Sequence, residues 1–100
     1  MNGTGNTSID SVLLPAVVDL SQASELVAQL QRGLASGCEM TIDGSAVRRI
    51  SSPCLEVLVA GMNAFAKTGG PSMRIVNPSA AFLETVTTLG LTDVLGLVGA

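Results

Sequence analysis

The sequence predicts an α/β domain, on three observations. Short apolar runs bounded by turn residues alternate with longer segments whose hydrophobic residues recur at helical spacing. Each helical segment ends at a glycine, as helices commonly do. The chain has 100 residues, enough for one hydrophobic core but not for two stable halves. The resulting order, β-β-α-β-α-β-α, has helices bridging strands, which favours parallel crossovers and a small mixed β-sheet with packed helices.

Residues 1–8 are rich in Gly, Asn and Thr and lack the charged and apolar regions of a signal peptide. They read as a flexible tail ahead of a domain spanning 9–100. Ile9 to Leu14 reads as a strand, with Ile9, Ser11 and Leu13 on one face and Asp10, Val12 and Leu14 on the other. Pro15-Ala16 breaks it and Val17-Val18 begins a second strand. So short a connection favours antiparallel pairing of the two. Asp19 or Ser21 can cap the next segment, where Ala23, Leu26, Val27, Leu30 and Leu34 form an apolar stripe opposite Gln22, Glu25, Gln29 and Arg32. Gly37 ends that helix.

Cys38 to Ile42 alternates apolar and polar residues as a third strand, and Asp43-Gly44-Ser45 is turn chemistry. Val47 and Ile50 return to the core while Arg48 and Arg49 face water. A second helix begins at Pro53 and runs to about Lys67, stopped by Thr68-Gly69-Gly70-Pro71. Met73 to Val76 is a fourth strand. Ser79 follows a turn at Asn77-Pro78 and caps a third helix, which carries Phe82, Val86 and Leu89 inward and closes at Gly90. Between Leu91 and Leu97 a short helix near Thr92-Asp93 is expected. There is no internal repeat and no linker.

Composition narrows the function. At 47% hydrophobic and 13% charged, the chain is not intrinsically disordered. It contains no His, Trp or Tyr and only two Phe, so the commonest metal ligand and general base are both missing. Few aromatics, no basic cluster and a net charge of −3 argue against a nucleic-acid partner. No apolar run approaches the ~18 residues of a membrane span, so direct membrane insertion is not expected. Cys38 and Cys54 form no CxxC pair and fit a reducing cytoplasm better than a disulfide framework. Nothing forms a metal cluster, and Gly69-Gly70-Pro71 is no phosphate loop, so no cofactor is expected. Cys54 lies in a first helical turn, where the dipole can lower a thiol pKa. Without a base to activate it, the chain reads as a non-enzyme.

The stretch Ile50-Ser51-Ser52-Pro53-Cys54-Leu55 holds the candidate site. A hydroxyl residue followed by Pro marks a helix start, which places Ser52 as the cap of the second helix just past a strand's carboxyl end. Helix N-termini in such positions favour anions. As a plain cap Ser52 contributes ~1 kcal/mol. As a phosphoacceptor it would gain about −1.5 to −2 charges where N–H groups point outward. Arg48 and Arg49, otherwise a solvated pair, lie close enough in sequence to answer that charge. Along the helix, Leu55, Leu58, Met62 and Phe65 form the core face. Val57, Gly61 and Ala64 form a smooth strip, which suits either a neighbouring helix of this chain or a partner.

At this point the chain resembles the STAS family, the sulphate-transporter and anti-sigma-factor-antagonist domain. The resemblance rests on Leu13-Leu14-Pro15, Val18-Asp19-Leu20-Ser21, Ile42-Asp43-Gly44-Ser45-Ala46-Val47 and Ile50-Ser51-Ser52. It continues through the Leu55 to Leu58 helix, Met73-Arg74-Ile75-Val76-Asn77-Pro78 and Leu89-Gly90-Leu91, so it covers about residues 9 to 97. It implies a sheet of four or five strands with a hairpin start and helices mainly on one side. It also implies a cytoplasmic bacterial partner switch, in which a serine kinase that is also the anti-sigma factor or another switch protein binds the unmodified domain and phosphorylates it. The phosphorylated position falls on Ser52. Together with the strip and the arginines read from the residues, the candidate partner surface takes in Ser51, Ser52, Pro53, Cys54, Val57, Gly61, Arg48 and Arg49. Ser51 stands where the family has Asp, and Pro53-Cys54 where it has a small residue and Gly. Single-domain relatives also serve as the regulatory subunit of a phospholipid-transport ABC complex, which implies an ATPase subunit as the alternative partner.

Overall fold

The computed structural model describes residues 9–69 and 72–97. The expected residues 1–8 tail and the Gly70-Pro71 part of the helix stop lie outside them. The elements are β1 (Ile9–Leu13), β2 (Val17–Val18), α1 (Leu20–Ser36), β3 (Glu39–Asp43), β4 (Arg49–Ile50), α2 (Ser52–Thr68), β5 (Met73–Val76) and α3 (Ala80–Thr88). This is the expected α/β order with one addition, the two-residue β4 formed where Ile50 turns inward.

The strands make a three-stranded sheet in the order β1-β3-β5 and a two-stranded sheet of β2 and β4. Every pairing is parallel, which corrects the antiparallel hairpin expected of β1 and β2. A tight hairpin needs residues with left-handed backbone at its turn, and Leu14-Pro15-Ala16 offers none. Instead the Leu14 amide donates to the Asp43 carbonyl at 3.0 Å, keeping the chain alongside β3. It then runs forward until Ala16 accepts hydrogen bonds from the amides of both Arg48 (2.7 Å) and Arg49 (3.0 Å). Val17 is thereby in register with Arg49 and Val18 with Ile50.

Met40 pairs with Met73 and Ile42 with Ile75, and all four are buried, so they define the core face of the larger sheet. On the other face Ser11, Leu13 and Arg74 are exposed. α1 and α2 cover the core face and pack on each other where glycines let them approach. A Cβ on Gly61 would lie 2.9 Å from Leu30 Cδ1 and 3.0 Å from Met73 Sδ. α3 begins beside the carboxyl end of β3, its cap Ser79 donating from its amide to the Gly44 carbonyl at 3.1 Å and from Oγ to the Val47 carbonyl at 2.6 Å.

Two expectations near the C-terminus change. Leu89 is 45% exposed, because α3 ends at Thr88 and Leu89 is its C-cap rather than part of the inward stripe. The core is completed instead by Leu95 and Leu97. They are held by consecutive turns over residues 92–96 rather than by the short helix expected at Thr92-Asp93.

Candidate functional site

Two helices begin side by side at the carboxyl end of the small sheet. α1 starts from Asp19, whose backbone is extended and whose carboxylate accepts from the Ser21 amide at 3.0 Å and from Ser21 Oγ at 2.6 Å. Gln22 Oε1 reciprocates by accepting from the Asp19 amide at 2.8 Å, which completes a capping box. The bonds from the Ser21 hydroxyl and amide hold the Asp19 carboxyl below its ordinary pKa, and Arg49 adds a smaller attraction.

α2 starts one residue earlier than the Ser-Pro pattern implies. Ser51, not Ser52, is the N-cap. Its amide donates to the Val18 carbonyl at 2.9 Å and its carbonyl accepts the first helical bond from Leu55 at 3.1 Å. The β2–β4 pairing decides this, because it carries extended backbone through Ser51 before the helix can begin. Ser51 makes no side-chain cap bond. Its Oγ is buried and has no hydrogen-bond partner among the described residues. Ser52 is the first helical residue and Pro53 the second, and both are exposed. Pro53 has no N–H to leave unpaired, so the amides of Ser52 and Cys54 carry the positive end of the helix.

Cys54 joins the two helix starts. It is fully buried, and its thiol donates to the Asp19 carbonyl at 3.1 Å. A thiol so placed is a packed, hydrogen-bonded group rather than an accessible nucleophile.

Around this junction lie Arg48 and Arg49, both exposed. A shallow hollow of about 320 Å³ is lined by Val17, Val18, Asp19, Arg49, Ile50 and Ser51. Ser51, Ser52, Pro53, Cys54, Arg48 and Arg49 are therefore brought to one end of the molecule. Val57 is half-buried and Gly61 buried farther along α2, where Gly61 packs beneath Leu30 of α1. What remains open there is a groove of about 240 Å³ between α1 and α2.

Sequence reasoning did not single out Val17 and Leu20, which are 37% and 69% exposed. The signal was present for Leu20. It continues the stripe of Ala23, Val27, Leu30 and Leu34, yet occupies the first turn of α1, where the helix has only just begun.

A family model described as "Mlab, STAS domain" matches residues 7–99. None of the curated proteins matches the chain at a significant level. Among the described residues no group of His, Cys, Asp and Glu could hold a metal ion, and no helix is long and apolar enough to cross a membrane. With its strand–helix order and a match over nearly its whole length, the chain belongs to the STAS domain family.

Proposed function

We propose that this chain is a non-catalytic regulatory module of the cytoplasm that docks a partner protein at the α2 N-terminus. A serine kinase controls the docking by phosphorylating Ser52, in the manner of an anti-sigma-factor antagonist. The observation that carries the reading is the contrast between two adjacent serines: the Ser51 hydroxyl is buried, whereas Ser52 is exposed at the first position of a 17-residue helix. A phosphoryl group on Ser52 would meet free amides and a favourable dipole. It would change the surface charge without disturbing the core.

The experiment is capture from source lysate with wild type, Ser52→Ala and Ser52→Asp as baits. A kinase-like partner retained by wild type and Ser52→Ala but lost with Ser52→Asp is expected. Retention by all three removes the switch. A second reading, a constitutive regulatory subunit of a phospholipid-transport ABC complex, is favoured by the exposed Val17 and Leu20, since permanent contacts are more apolar than transient ones. Under that reading an ATPase subunit remains bound to all three baits.

A further inference from the structure

We infer that the docking segment of the partner is apolar and acidic, with a hydrophobic side chain seated on Val17 and Leu20 and a carboxylate held by Arg48 and Arg49. The inference rests on the docking site proposed above and specifies its chemistry.

The apolar half follows from exposure. Among the described residues the large hydrophobics that remain open to water are Leu13, Val17, Leu20, Leu89 and Val94. Two of them, Val17 and Leu20, lie two residues before and one residue after the capping residue Asp19, at the junction where α1 and α2 begin. Leu20 is the most exposed of the five, at 69%. An apolar side chain in so rigid a place, between a capping box and a paired strand, gains nothing for the fold and offers contact area at little entropic cost.

The acidic half follows from charge. Arg48 and Arg49 are two of only five basic residues in a chain of net charge −3. Their backbones are fixed by the paired amides that bond Ala16, so both side chains start from an anchored position. The Arg48 side chain is exposed. Arg49 feels Asp19, but that carboxylate is already committed to Ser21. The uncapped amides of α2 add further positive potential beside them. A carboxylate brought here finds guanidinium donors and a helix dipole together. The same arrangement explains release: a phosphoryl group on Ser52 would take those guanidiniums and repel the incoming carboxylate.

The test uses the unmodified full chain, ¹⁵N-labelled and titrated with two synthetic peptides of identical leucine pattern, one carrying Glu and the other Lys at every polar position. The Glu peptide is expected to shift the amide signals of Val17, Leu20, Arg48, Arg49 and Ser52. Arg48→Glu with Arg49→Glu should weaken it roughly fivefold or more, the scale of exposed ion pairs, and Leu20→Ser should weaken both peptides. Equal binding of the two peptides, or shifts confined to the α1–α2 groove, overturns the inference. Because Ser52 is unmodified throughout, a Ser52 that is never phosphorylated in cells would end the switch reading and leave this result unaffected.

Discussion

Ser51 and Ser52 divide between them what a single residue usually does at a helix start. Ser51 carries the cap geometry and is tied to β2 through its backbone, while Ser52 is exposed at the first helical position. From the sequence, the Ser-Pro pattern pointed to Ser52 as the cap as well as the candidate phosphoacceptor. What distinguishes them is a long-range pairing, Val18 with Ile50, which no local pattern encodes. The cysteines divide in a similar way, Cys54 being buried and Cys38 partly exposed. In the native protein Cys38 should therefore react with Ellman's reagent well before Cys54, whose reaction should await unfolding; equal native rates would contradict the packing described. Cys54→Ala removes both a hydrogen bond and a buried sulfur. It should lower stability by about 1–3 kcal/mol in urea denaturation, from the lost bond and the cavity together.

At the scale of elements, the helices were the legible part and the strand pairing was not. The α1 stripe, the Ser79 cap and the glycine stops at Gly37 and Gly69 are local signals, and the helices form where those signals lie. The pairing of β1 with β3 and of β2 with β4 depends on contacts some thirty residues apart, and chain proximity misled there. The two helix glycines separate on packing. A Cβ on Gly33 would lie 2.5 Å from Met40 Cε, and Met40 is only 1% exposed, so it has little room to yield. Gly33→Ala should cost about 1–2 kcal/mol, overpacking less the gain in helix propensity. At Gly61 the approach is less severe, 2.9 Å to Leu30 Cδ1 and 3.0 Å to Met73 Sδ; Gly61→Ala should stay within about 1 kcal/mol of wild type. Thermal and urea melts of the two variants would check the ranking. Ser79→Ala loses the bond to the Val47 carbonyl and the cap bond from the Phe82 amide. It should destabilise by about 1–2 kcal/mol and speed hydrogen exchange in residues 44–50.

For the molecule as a whole, the acid limb of stability should come from two carboxylates that anchor turns. Asp43 accepts from the Ser45 amide at 2.9 Å, and bonds from Ser45 and then Asn77 hold its pKa below the ordinary value, as Ser21 does for Asp19. A carboxyl whose folded pKa is depressed contributes stability above its unfolded pKa, near ~3.9, and loses it as pH falls through the folded value. The melting temperature should thus change little from these groups between pH 7 and pH 5 and fall below about pH 4. Asp19→Asn and Asp43→Asn should each flatten that fall. The same geometry places an exposed Ser52, two arginines and two exposed apolar side chains at one end of a compact core, which is the central claim about function. It is tested most directly by isolating the protein from its source cells in different growth states and mapping phosphate by tandem mass spectrometry. Phosphate on Ser52 and none on Ser51 is the result the proposed function predicts. Phosphate on Ser51, or a Ser52 unmodified in every state, would contradict it.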